Sequence, residues 1–331
     1  MVLDAVALIV HYRTSSTEAA LKALGSPEAR RTAVALRLRR RRGTLLYRIA
    51  ERALFMEAMG VDRRVATELL ASELRLRLED ELRRARELYN FAVFAASMAV
   101  FTALVVGVFL APLSPEAASM ASLVAALEAV PLAAVERLCP PARRWNYGLA
   151  AAAMAPAALS LAEPWLSLLT VPAAALYGVY YARRLREAGE ELAMAMRGQL
   201  THAETDTARQ AAEIMRAVRT SGAYDLMAAA EYMMRVAEAH MSSLRREGLM
   251  RALVIVSLVI IAAAAAASFW PQLAYMAEQV KGGPLKLYVV SVRPAIGALA
   301  LVSAAVAGRL TESYAAAPLY SPLAIAQLFV P

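Results

Sequence analysis

Apolar and polar positions alternate along this chain in long blocks. The first apolar block, residues 2–12, carries Asp4 and His11. It is too short to cross a hydrocarbon layer of roughly 30 Å, which takes about 20 residues as a helix. Residues 89–113 hold no charged side chain and end at Pro112 and Pro115, which predicts a first membrane span. Residues 117–135 predict a second, interrupted by Glu128 and Pro131. Residues 147–162 and 165–181, parted by Glu163 and Pro164, predict a tight hairpin of spans three and four. Residues 252–270 form a fifth span that closes on Trp270 and Pro271, and 287–307 a sixth with Arg293 and Pro294 near its start. Residues 318–331 are apolar but short, so they form a partial seventh span or lie on the bundle.

The polar blocks have helical periodicity. After Gly60, the positions Val65, Leu69, Leu74, Leu78 and Leu82 define one amphipathic helix that leads into span one. After Gly222, Leu226, Ala230, Met233, Ala237, Met241 and Leu244 define another that leads into span five. Upstream of each glycine lies a second amphipathic stretch, residues 45–59 and the series Leu192, Met196, Leu200, Ala211, Met215 and Val218. Each polar block therefore predicts an antiparallel helical hairpin or small bundle. The recurring order of hairpin, glycine and long helix predicts an internal duplication. The expected fold is all-α and polytopic: a helical segment at 1–88, four spans within 89–181, a second helical segment at 182–251, and two or three spans within 252–331.

Composition agrees with the pattern. Of 331 residues 60% are hydrophobic and only 7% aromatic, with a mean hydropathy of +0.46, the balance of a multi-span membrane protein. Arginine and lysine orient it: 33 of the 36 fall in residues 1–88, 136–146, 182–251 or at Arg309, against Lys281, Lys286 and Arg293 elsewhere. The positive-inside rule then places the N-terminus and both helical segments in the cytoplasm and the chain in the cell membrane. Cys139 is the single cysteine, which excludes an intramolecular disulfide and a cysteine-held metal. Lysine is confined to Lys22, Lys281 and Lys286, an arginine bias that suits a thermophile.

With that layout, residues 211–222 (AAEIMRAVRTSG) followed by 223–251 (AYDLMAAAEYMMRVAEAHMSSLRREGLMR) place a glycine before a long helix that ends in a basic cluster and enters the membrane. In this the chain resembles the type II secretion F-domain family, the platform proteins of type IV pili, archaella and related secretion machines. Four spans between the two helical segments resemble the archaeal archaellum and Tad-like branches more than the three-span bacterial platforms. The resemblance implies a non-enzymatic homodimer in the cytoplasmic membrane that couples a cytoplasmic hexameric ATPase to pilin-like subunits. It implies no catalytic residue.

The residues themselves carry little chemistry. No lysine follows a glycine, so no phosphate-binding loop is present. Asp4, Asp62, Asp80, Asp206 and Asp225 all lie outside the spans, which argues against an intramembrane aspartyl protease. His11, His202 and His240 lack the spacing of a zinc-binding helix. No cofactor or metal is expected. Glu128 is an ionisable group at membrane depth, either a receiver for a partner's transmembrane segment or terminal amine, or a residue near the cytoplasmic interface with Glu136 and Arg137 one or two turns away. Arg37, Arg39, Arg40, Arg41 and Arg42 form the densest charge run, suited to an acidic face of the ATPase or to anionic membrane lipid. Arg245, Arg246 and Arg251 at the base of span five have the same two readings. No aromatic platform accompanies these arginines, which disfavours nucleic acid. A transporter subunit energised by a separate ATPase is the alternative function. The permease signature it would need is incomplete, because residues 116–118 lack the following glycine.

Overall fold

The computed structural model describes residues 2–105, 145–200, 202–220, 225–280, 293–311 and 313–330, and among these every regular element is helical. In chain order they are α1 (Val2–Thr14), α2 (Thr17–Leu24), α3 (Pro27–Arg37), α4 (Leu45–Ala58), α5 (Arg63–Leu104), α6 (Tyr147–Leu159), a 3-10 turn (Pro164–Leu169), α7 (Thr170–Met196), α8 (Asp206–Thr220), α9 (Asp225–Val280), α10 (Arg293–Thr311) and a 3-10 helix (Tyr314–Phe329). The chain divides into two units. Unit 1 is Met1–Arg83 with Leu185–Ser243, and unit 2 is Arg84–Arg184 with Leu244–Pro331.

Unit 1 is organised around α1. That helix is apolar on every side, so it is stable in water only when covered on every side. Leu3, Val6, Leu8, Ile9, Val10 and Tyr12 are all buried, under α2, α4 and α8. Local signals set the helix ends: Ser16, Ser26 and Thr44 accept hydrogen bonds from the amides of Ala19, Ala29 and Tyr47. Glu57 on α4 accepts from the amide and hydroxyl of Thr17 at 3.1 and 2.9 Å, placing a carboxylate at the start of α2.

The two polar blocks close one core. Leu46, Ile49, Leu70, Leu74 and Leu78 from the first block and Ile214, Met215, Val218, Met233 and Met234 from the second belong to a single buried cluster with α1. An amphipathic hairpin has one apolar stripe to bury, and α1 has a whole circumference to offer, which accounts for two hairpins sharing it. On α5 the buried stripe is Ala66, Leu70, Leu74 and Leu78. The expected positions Val65 and Leu69 are each 48% exposed. The stripe thus starts one residue later than leucine and valine spacing suggests, because an alanine holds its first place.

Unit 2 is built with small residues at its helix contacts. Ala92 and Ala96 of α5, Ala252 of α9 and Ala307 of α10 share one cluster, with Tyr89, Ile255, Val306 and Leu310 filling around them. Where α9 crosses α10, Gly248 lies so close to the Leu310 carbonyl that no Cβ fits. The 3-10 helix lies along α10 in antiparallel register. A Cβ on Gly308 would come within 2.7 Å of the Ala317 Cα, one on Gly297 within 2.5 Å of the Gln327 Oε1, and Arg293 Nε donates to the Val330 carbonyl at 2.7 Å.

The 3-10 geometry is written in the burial pattern. Ala315, Pro318, Ser321, Ala324, Gln327 and Val330 are all buried, at a strict spacing of three. Such a helix has three residues per turn, so these positions eclipse on one face. Its 16 residues rise about 32 Å at roughly 2.0 Å each, against about 28 Å for the 19 residues of α10 at 1.5 Å each. The stretched helix thus matches its neighbour with fewer residues.

Among the described residues, Pro164–Met196 and Ala230–Phe269 are the helical stretches long and apolar enough to cross a membrane, and Tyr147–Leu159 and Ile296–Thr311 are shorter apolar helices. The apolar end of α5 covers the start of the expected first span, and the second span, with Glu128, lies outside the described residues. The expected close of span five at Pro271 is not a helix end. Helix α9 continues through it to Val280, losing one backbone hydrogen bond, as proline inside long apolar helices allows.

Candidate functional site

The arginine run at residues 37–42 is formed by the way α3 ends. Leu38 closes the helix, the Arg39 amide bonds to the Leu36 carbonyl at 3.1 Å, and the Arg40 amide bonds to the Ala35 carbonyl at 2.9 Å. This is a Schellman turn, which needs a left-handed residue at the position of Arg39. Gly60 and Gly198 take that position in the equivalent turns after α4 and α7, with φ of 70° and 69°. Here it is held by arginine at φ 50°, the one non-glycine residue with positive φ among the described residues. An L-residue in that conformation costs roughly 1–2 kcal/mol relative to the right-handed form.

The six positions do not act alike. Arg37 is paired with Glu18, and Arg42 with Glu28 at 3.3 Å, so both ends of the run are tied back to the bundle. Arg39, Arg40 and Arg41 between them are exposed. Leu38 is 59% exposed and Val34, one turn earlier on α3, is 55% exposed. The result is a short protruding loop with three guanidiniums beside two aliphatic side chains.

The second basic group is not a patch of this kind. Arg246 is exposed, Arg245 is half-buried, and the half-buried Arg251 turns a buried Nε inward. Nearby, Arg86 of α5 pairs with Glu247 of α9 at 3.1 Å within unit 2. The two arginine groups belong to different units.

Three polar groups that periodicity did not single out are withdrawn from the surface: Asp4 and Gln327 are buried and His11 is half-buried. Asp4 on α1 accepts from Gln210 Nε2 at 3.4 Å, and burial pushes its carboxyl above the usual range. Burial likewise holds the His11 imidazole below its usual value. Gln327 is 1% exposed, with neither amide atom hydrogen-bonded, beside Gly297. A glutamine in an apolar run signals such a residue, yet its burial follows only from the 3-10 spacing. Among the described residues no group of histidine, cysteine, aspartate and glutamate is arranged to hold a metal. Compared with protein-family models, with curated proteins and with solved structures, the chain has no match.

Proposed function

We propose that this chain is an assembly platform of the cytoplasmic membrane, serving a type IV pilus-like filament or a related secretion machine. In this reading unit 1 lies in the cytoplasm and receives a hexameric ATPase, while unit 2 holds six spans and handles pilin-like subunits. The 3-10 helix, at about 32 Å, is long enough to be a seventh crossing of a layer of roughly 30 Å. Helices α4–α5 and α8–α9 are then the two copies of a duplicated unit, and two chains form a homodimer.

One observation carries the proposal: most of the exposed large apolar side chains belong to unit 2, where they follow one another along single helices, while unit 1 exposes fewer. Phe91, Phe94, Met98 and Phe101 on α5, Leu176 and Val179 on α7, and Ile260 and Ile261 on α9 are all exposed. A surface of that kind is stable against lipid and not against water. Helices α5 and α9 each supply buried residues to unit 1 and to unit 2.

The test is purification of the tagged chain from its native membranes after chemical crosslinking. A hexameric secretion ATPase and a pilin-like subunit are the expected companions. Recovery of a transporter's nucleotide-binding subunits in their place would overturn the proposal.

A further inference from the structure

We infer that the loop between α3 and α4 binds the anionic phosphate head groups of the membrane that holds the chain, with Arg39, Arg40 and Arg41 on phosphates and Leu38 in the interfacial layer.

The first support is the division of labour along the run. Arg37 and Arg42 are paired with Glu18 and Glu28, and these ion pairs fix the loop to α2 and α3. The three arginines between them point their charge outward from a loop with no enclosing walls. A single free anion needs a cradle of converging donors. A sheet of phosphates needs only a protruding row of cations, each worth about 1 kcal/mol near an anionic surface.

The second support is the apolar partner of the charge. Val34 and Leu38 are one helical turn apart and are more than half exposed on the α3 end that carries the arginines. An aliphatic side chain beside arginines suits the boundary between head groups and acyl chains.

The third support is the conformation of the loop. Arginine at the strained position of Arg39, where the equivalent turns use glycine, keeps the middle charge at a cost in backbone energy.

The inference uses the membrane placement of unit 2 and is independent of the platform role. The test uses the full chain, with Cys139→Ser and Leu38→Cys carrying an environment-sensitive fluorophore, in nanodiscs of phosphatidylcholine alone or with phosphatidylglycerol. In the anionic discs the label is expected to shift to the blue and to be quenched by a nitroxide-bearing lipid. Substituting Arg39, Arg40 and Arg41 together by glutamine is expected to lower the ratio of bound to free loop about a hundredfold, since three contributions of roughly 1 kcal/mol sum to about two powers of ten. Raising the salt concentration should release the label with the arginines intact, which separates binding from any folding defect of the triple variant. Identical emission in the two kinds of disc overturns the inference, and so does a blue shift indifferent to salt and to the arginines. A response to inorganic phosphate in phosphatidylcholine discs equal to that in anionic discs also overturns it, in favour of a free-anion site. In each of these cases the chain has entered the disc, so the membrane reading stands apart from the result.

Discussion

Gly248→Ala adds one methyl group at the closest helix contact of unit 2. A Cβ there would press on the Leu310 carbonyl, with the carbonyl carbon 2.8 Å away and the Thr311 Cα at 3.5 Å. Ordinary carbon contacts are about 3.5–4.0 Å, and the obstacle is backbone that cannot rotate aside, so α9 and α10 must part by roughly 1 Å. A gap of 0.5–1 Å already forfeits about a quarter to a half of each dispersion contact it opens. The side chains that lose contact are Ala252 and Ile255 on one side and Val306, Ala307 and Leu310 on the other. Overpacking of this kind typically costs about 1–3 kcal/mol, against a gain of roughly 1 kcal/mol from replacing glycine inside a helix. Because the obstacle is backbone, the cost falls in the upper part of that range, about 2–3 kcal/mol, and the net expectation is a destabilisation of about 1–2 kcal/mol, read as a lower midpoint in thermal unfolding of the detergent-solubilised chain. Gly189→Ala is the internal control. Gly189 is exposed on α7 with nothing within 4 Å of its would-be Cβ, so the same substitution should stabilise by up to about 1 kcal/mol. A Gly248→Ala chain as stable as the parent, beside a normal Gly189→Ala result, would refute the close crossing.

Four further outcomes follow from the same geometry. Leu74→Ala, at a site 2% exposed in the core shared by both polar blocks, should cost about 2–5 kcal/mol in denaturant unfolding. Limited proteolysis of that variant should open sites in Met1–Arg83 and Leu185–Ser243 together. Because burial lowers the His11 pKa, the folded state favours the neutral ring: stability from this group is complete above about 6.5 and is lost as pH falls from there toward the folded value. His11→Gln should flatten that part of a pH series of unfolding midpoints. Gln327→Met replaces a buried amide that has no hydrogen-bond partner by an apolar side chain of similar length, and should raise the unfolding midpoint by the equivalent of about 1–3 kcal/mol. Arg39→Gly should stabilise unit 1 by about 1 kcal/mol by relieving its positive φ, measured in the same denaturant assay.

The arginine run was legible from residue order alone, because five guanidiniums within six positions have no partner of their own kind to hide among. Which of them are presented was not. Glu18 and Glu28 reach Arg37 and Arg42 only once α2 and α3 are folded against each other, and the left-handed turn at Arg39 depends on where α3 stops. Glu128 lies outside the described residues, so its two readings rest on the sequence.

The sequence by itself determined that the chain is helical, where its charge-free stretches lie, and which of its helices are amphipathic. Those properties follow from local periodicity and from the free energy of placing each residue in water or in hydrocarbon. Tertiary structure decided the rest. Residues 2–12 could be read only as too short to cross a bilayer; packing makes them the centre of unit 1, because two separate hairpins each supply a stripe to cover them. The stripe on α5 begins at Ala66 and not Val65, since burial there is decided by which side of α5 meets the core and not by which side chain is the more hydrophobic. The last apolar segment became a 3-10 helix because Gly297 and Gly308 let it lie directly on α10, where a spacing of three puts its small side chains on the contact face. Each of these outcomes depends on distances between residues far apart in the chain, which no window along the sequence contains.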